Sequence, residues 1–213
     1  PSFRSPQDVI VGTGPNSIQI TKVEFVLAEL ELSQAATCSI PPGDDDDCNE
    51  LELDPLLVDL PLDGTVQVVL DASVPPGTYT RLEAELDAIE SDDDDGEGED
   101  GGAAFLAAHP DWPAGVSVRV VGVYTDAAGV AHDFTFTSGV SAGMEMAFPS
   151  PVTIDANSQN LTIAVDVASW FTDANGAAID PRNIENAELI SDNIEKSFNA
   201  FEDDDEDGED DPD

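Results

Sequence analysis

Residues 17–32 restrict this chain more than any other segment. Apolar side chains alternate with polar ones at Ile18 and Ile20, break at Thr21 and Lys22, resume at Val23, Phe25 and Leu27, and shift again to Leu30 and Leu32. A period of two built from β-branched and aromatic residues describes a strand buried on one face, and each parity shift describes a bulge. One long strand with one or two bulges is therefore predicted. Such a strand needs partners. Candidates lie at 7–11, 51–53, 56–60, 65–70, 79–89, 116–125, 132–137, 144–148, 152–154 and 161–167. Pro75, Pro76 and Gly77 turn the chain ahead of Tyr79, and Asp126 to Gly129 read as a hairpin turn. Between 82 and 88, Leu82, Ala84, Leu86 and Ala88 take one side while Glu83, Glu85 and Asp87 take the other, so one sheet face is wet and acidic.

A parallel α/β sheet would need crossover helices, and the sequence offers one good helix, at 181–201. Pro181 suits its first turn, and Ile190, Ile194, Phe198 and Phe201 form one apolar stripe. A short helical turn at 103–108 is weakly signalled. The expected fold is all-β: an antiparallel β-sandwich of Ig-like or Greek-key type with one C-terminal amphipathic helix and acidic loops. Residues 1–16 form an N-terminal arm or edge strand. Residues 17–180 form the sandwich, with acidic loops at 38–50 and 90–102. The helix at 181–201 leads to an acidic tail at 202–213.

The charge excludes whole classes of partner. Forty-seven acids against six bases give a formal net charge of −41 over 213 residues. Phosphate binding needs clustered Lys and Arg, so no nucleic acid is expected, and an anionic membrane surface is disfavoured for the same reason. No apolar run approaches the length of a membrane span. Forty per cent apolar residues still suffice for a core. Three runs hold 22 of the acids with no base among them: four at 44–47, eight at 90–100 and ten at 202–213. Adjacent carboxylates repel unless cations neutralise them. A high-salt environment would explain the acidity elsewhere, and a solvated loop is the plainest account of any one run.

The last run has the spacing of a calcium loop. Asp203, Asp205, Asp207, Gly208 and Asp211 occupy positions one, three, five, six and nine of D-x-D-x-D-G-x-x-D, with Glu209 beside them. Alternate positions converge on one ion as the chain curls, and Gly permits the sharp turn. Phe198 to Phe201 would supply an entering helix, as in half an EF-hand, but the pattern has no acid at position twelve. Asp93, Asp95, Glu97 and Glu99 around Gly96 make a poorer copy, with Ser91 in place of the first acid. Asp44, Asp45, Asp46 and Asp47 have no Gly among them and would need ligands from elsewhere. Asp173 to Gly176 reads as an ordinary turn. Hard oxygen ligands favour calcium, with magnesium and manganese behind it.

Cys38 and Cys48 bracket nine residues that include Asp44 to Asp47. A disulfide in an oxidising compartment is the simplest reading. It would contribute about 2–3 kcal/mol by loop closure and would hold those carboxylates together. A soft-metal site lacks two of its four ligands. For catalysis there is little material. His109 lies in HPDWP and His132 in AHDF, and there is no G-x-S-x-G, phosphate loop or dinucleotide fingerprint. No enzyme is expected.

Two groups of segments carry a resemblance. ITKVEFVLAELELSQ, LLVDLPLDG and VPPGTYTRLEAEL resemble the strands and P-x-G-x-Y-T turn of an uncharacterised exported bacterial β-sandwich family, a lipoprotein-like domain of unknown function. LTIAVDVASWFTDANGAAIDP and DNIEKSFNAFEDDDEDG are similar to exported proteins with a helix and an Asp-rich tail, and the tail resembles the calcium loops of dockerins and thrombospondin type 3 repeats. The resemblance implies fold and export and transfers no functional residue.

These readings converge on a secreted, non-enzymatic, calcium-binding structural protein. It is expected to self-associate into a homopolymer, as a subunit of an extracellular filament or cell-surface assembly held by calcium and by addition of the strand at 8–11 to a neighbour's sheet edge. The alternative is a secreted carbohydrate- or protein-binding module with calcium-stabilised loops, for which Trp112 and Trp170 are the candidate stacking residues.

Overall fold

A computed structural model describes residues 8–34, 51–52, 54–62, 77–90, 101–154 and 161–202. In chain order its elements are β1 (Val9–Val11), β2 (Ser17–Gln34), β3 (Leu51–Glu52), β4 (Leu56–Asp59), β5 (Gly77–Leu86), α1 (Gly101–Ala108), β6 (Val118–Thr125), β7 (Ala131–Ser138), β8 (Ala142–Ile154), β9 (Leu161–Val165), α2 (Val167–Trp170), α3 (Ala187–Glu195) and β10 (Phe198–Glu202). Every strand pairing is antiparallel.

The long strand β2 organises the sheet. Leu27 is paired with Leu56 on one side and Leu86 on the other, and Phe25 with Val58 and Val118. It follows that β5 and β6 succeed one another along a single edge of β2, opposite β4. By the same test Ile20 places β1 opposite β6, and Leu32 places β3 opposite β5. Outside this column, β7 pairs with β6 and runs on into β8, which pairs with β5. Eight strands thus form one curled, half-barrel sheet, and β9 and β10 form a separate two-stranded sheet.

Both parity shifts in β2 are register shifts in the structure, between Ile20 and Lys22 and between Leu27 and Glu29. Each inserts one residue, and that is what keeps Ile18, Ile20, Val23, Phe25, Leu27 and Leu32 buried along a strand of 18 residues. On this concave face the β2 residues from Ile18 to Leu27 meet Val118, Val120, Phe134, Phe136 and Leu86. The C-terminal segment closes the face with Trp170, Phe171, Ile190 and Ile194. Phe171 stacks edge-on against Phe134 and Phe136 at 6.0 and 5.9 Å, and Phe198 does the same to Phe25 at 5.5 Å. Burying a large apolar side chain contributes about 1.5–3 kcal/mol, so this layer dominates the fold. A second, smaller cluster sits on the convex face, where Val26 and Ile89 meet Phe105 of α1 and Trp112.

Three expectations change. The strand expected to be donated by the N-terminal arm lies in its own sheet, with Val9, Ile10 and Val11 opposite Ile20, Gln19 and Ile18 of β2. The predicted helix at 181–201 is shorter, a 3-10 turn at Ile184–Asn186 followed by α3, and Phe198–Glu202 is strand. Ser197 ends the helix, its amide and hydroxyl both donating to the Ile194 carbonyl while its oxygen accepts from Trp170 Nε1. The next five residues then find β9 as a partner, and pairing overrides the helical spacing of the aromatics. The third change is that 144–148 and 152–154 are parts of one strand, β8. The candidate strand at 65–70 lies outside the described residues.

Candidate functional site

The nominated metal ligands Asp44, Asp45, Asp46, Asp47, Asp93, Asp95, Glu97, Glu99, Asp203, Asp205, Asp207, Glu209 and Asp211 lie outside the described residues, as do Cys38 and Cys48. Among the described residues no three His, Cys, Asp or Glu side chains converge to hold a metal ion. The helix expected to lead into the calcium loop is strand β10. Asp173 to Gly176 is a turn: Asp173 Oδ1 accepts from the amides of Ala177 at 2.8 Å and Asn175 at 2.9 Å, and those bonds hold its carboxyl below the usual range.

Both tryptophans are core residues. Trp170 is fully buried, and Trp112 packs under the convex face with its Nε1 donating to the Val116 carbonyl at 2.8 Å. Neither offers a ring for stacking on a ligand. His109 lies against Phe105 at 4.7 Å. His132 Nε2 is 3.0 Å from Asp126 Oδ2, a contact that stitches the β6–β7 hairpin. An open depression of about 540 Å³ is lined by Asp166, Ser169, Thr172, Asp173, Leu189 and Asn193. Its polar groups serve the local fold: Asp166 caps α2 at the Ser169 amide, and Asn193 Nδ2 donates to the carbonyls of Trp170 and Thr172. No nucleophile and base are poised together there.

The most chemically distinctive surface is the convex face of the β2–β5–β8 region. Register places Glu52, Glu31, Glu83 and Glu145 in one row across β3, β2, β5 and β8. In the next row Glu29 faces Glu85. Acids directly opposite one another on neighbouring strands repel. Near these rows Arg81 pairs with Glu83 at 3.1 Å, Ser33 Oγ donates to Glu31 Oε1 at 3.0 Å, and Ser141 Oγ donates to Glu85 Oε1 at 3.1 Å. The sequence showed the acids of β5 on one side. What it did not show was that the Glu-x-Glu spacing of β2 would be set beside them, because only the pairing register reveals that.

Further along the same face the charges are matched. Glu24, the one buried charged residue among those described, receives Arg119 Nε and Nη2 on Oε2, each at 2.8 Å, and Lys22 Nζ on Oε1 at 2.7 Å. Burial pushes the Glu24 carboxyl up, but bonding and attraction from Lys22 and Arg119 outweigh it and hold the group below its ordinary range. The Arg119 guanidinium also lies 4.7 Å over the Trp112 ring. Every described base is in an ion pair: Lys22 and Arg119 with Glu24, Arg81 with Glu83, Arg182 with Asp180 and Lys196 with Asp192. Two of those five bases share a single buried carboxylate, and Arg81 is the base that lies beside the acidic rows. Among the described residues no helix is long and apolar enough to cross a membrane. No protein-family model, curated protein or solved structure significantly matches this chain.

Proposed function

We propose that the chain is a non-catalytic, calcium-binding structural protein that works outside the cell as a self-associating subunit of a filament or surface assembly. The observation that carries this reading is the pair of glutamate rows on the convex face, where like charges on adjacent strands are opposed by register. A sheet that accepts such a surface gains stability when solvent cations screen it. The runs at 44–47, 90–100 and 202–213 extend the same demand, and the spacing from Asp203 to Asp211 selects calcium among the hard cations. A Cys38–Cys48 disulfide belongs with this reading and with an oxidising compartment. A sandwich reading of the fold belongs with this proposal, in which β9–β10 and the short helices would serve as the layer opposite the large sheet.

The test is a calcium titration at fixed ionic strength on protein purified in chelator, following melting temperature and light scattering together. Millimolar calcium should raise the melting temperature and grow large ordered particles. A response no larger than that to matched sodium would overturn the calcium assignment, and a higher melting temperature without particle growth would overturn the assembly.

A further inference from the structure

We propose that the outer edge of β7 pairs antiparallel with the same edge of a second copy, joining two chains into one continuous sheet. The inference rests on the assembly reading above and names the contact through which copies meet. The hairpin closes on the bond from the Asp126 amide to the Val130 carbonyl at 2.9 Å. Antiparallel alternation then turns the even positions of β7 toward β6 and directs the backbone groups of Ala131, Asp133, Thr135 and Thr137 outward. Among the described residues no strand pairs with that outward edge, and α3 touches β7 at the strand's last residue, where Ser138 Oγ and Ser191 Oγ lie 2.8 Å apart.

Sheet edges are usually guarded by brevity, proline, lysine or a bulge. The outer strands β1, β3 and β4 are three, two and four residues long. The long outer strand β8 carries Pro149 and Pro151. In contrast β7 has eight residues, AHDFTFTS, without proline or lysine and without a register shift against β6. The strands β9 and β10 of the small sheet also lack proline and lysine but have five residues each, so β7 is the longest unguarded edge among the described strands.

The occupant follows from charge and symmetry. At a net charge of −41, copies repel over most of their surface, whereas β7 carries one acid and one histidine. A two-fold axis at Phe134 sets Asp133 opposite the second copy's Thr135, His132 opposite its Phe136 and Ala131 opposite its Thr137, so no two acids meet. Phe134 then faces its own copy in a non-hydrogen-bonded position, where cross-strand side chains approach closely. Phe134 and Phe136 already pack on Phe171, so the buried layer continues through the junction.

The experiment is sedimentation equilibrium of the full chain in chelator and molar sodium chloride, which screens the general repulsion, compared with Thr135→Pro. Thr135 is exposed and its amide points away from β6, so proline leaves the monomer's own pairing intact. The parent should reach twice the 22.4 kDa chain mass and no further, and Thr135→Pro should weaken association about tenfold or more. If circular dichroism shows that variant misfolded, Thr137→Pro, at the next outward amide, replaces it. A parent that stays monomeric at high concentration, a variant that associates as well as the parent, or growth beyond two chains in chelator would each overturn the inference. Calcium separates the two ideas. Large particles formed equally by parent and Thr135→Pro would leave the assembly reading standing without the β7 contact. A β7-dependent dimer that calcium does not enlarge would keep this inference and end that reading.

Discussion

The two faces of the large sheet are stabilised by different means, although β2 serves both. On the concave face, Ile18, Ile20, Val23, Phe25 and Leu27 meet a cover of aromatic and branched side chains, and the buried cluster among the described residues contains no charged residue. On the convex face one small apolar cluster shares the surface with Glu24 and its two cations and with the glutamate rows. The concave layer depends on packing, so charge screening should change its stability little. The convex layer depends on charge balance, and the chain concentrates its scarce bases where a carboxylate is buried. A highly acidic chain can keep an ordinary core if it matches its buried charges internally and leaves its exposed ones to dissolved cations.

The largest effect should come from the concave side. Trp170 is fully buried between α3 and Phe198, so Trp170→Ala should cost about 3–5 kcal/mol in chemical denaturation, with the same loss in low and high salt. A loss that salt restored would mean the two faces are not energetically separate. On the convex side, Arg119→Met should cost about 2–3 kcal/mol, because Glu24 stays buried with Lys22 alone. The pH dependence carries the sign. With its pKa depressed, Glu24 in the parent contributes stability fully present above the unfolded value of about 4.3 and lost as pH falls through the folded value. Without Arg119, burial raises the same carboxyl, so the gap between variant and parent should shrink as pH falls below about 5. A gap independent of pH would assign the loss to the Arg119–Trp112 stacking instead.

Gly122 tests the close strand approach at the first bulge of β2. It lies opposite Ile20, where β2 makes its first bulge, and a Cβ there would meet the Gln19 carbonyl oxygen and the Phe134 ring. Gly122→Ala should therefore cost about 1–3 kcal/mol and loosen the β2–β6 pairing, seen as faster amide exchange in β6 than in β5. Equal exchange in both strands would show that the bulge tolerates the methyl group.

What the sequence made legible was local. The parity shifts of β2, the β6–β7 hairpin turn and the division of Leu82, Ala84 and Leu86 from Glu83 and Glu85 each follow from the chemistry of a few consecutive residues. What it hid was decided by partners far away. Phe198 continues the four-residue spacing of Ile190 and Ile194, so periodicity alone extends the helix, and only the pairing of Phe198 with Val165 makes it a strand. Glu24 looks like one acid among many until Arg119, 95 residues on, closes over it. The calcium-loop spacing at 203–211 is a property of the sequence, and the described residues do not reach it.

The smallest effect is the most discriminating for the acidic rows. Glu31 stands between Glu52 and Glu83 in register, with Ser33 donating to its Oε1. Replacing it with glutamine keeps the size and the oxygen acceptor while removing a charge from the centre of the row. If like-charge repulsion governs this face, Glu31→Gln should stabilise the protein by about 0.2–1 kcal/mol in low salt. Molar sodium chloride, with a screening length of about 3 Å, should erase the gain. Millimolar calcium at fixed ionic strength provides the sharper contrast. Erasure by calcium alone would mean that ions localise on the row, whereas a gain that survives calcium and yields only to bulk salt would make the row a diffuse field and confine calcium to the Asp-rich runs.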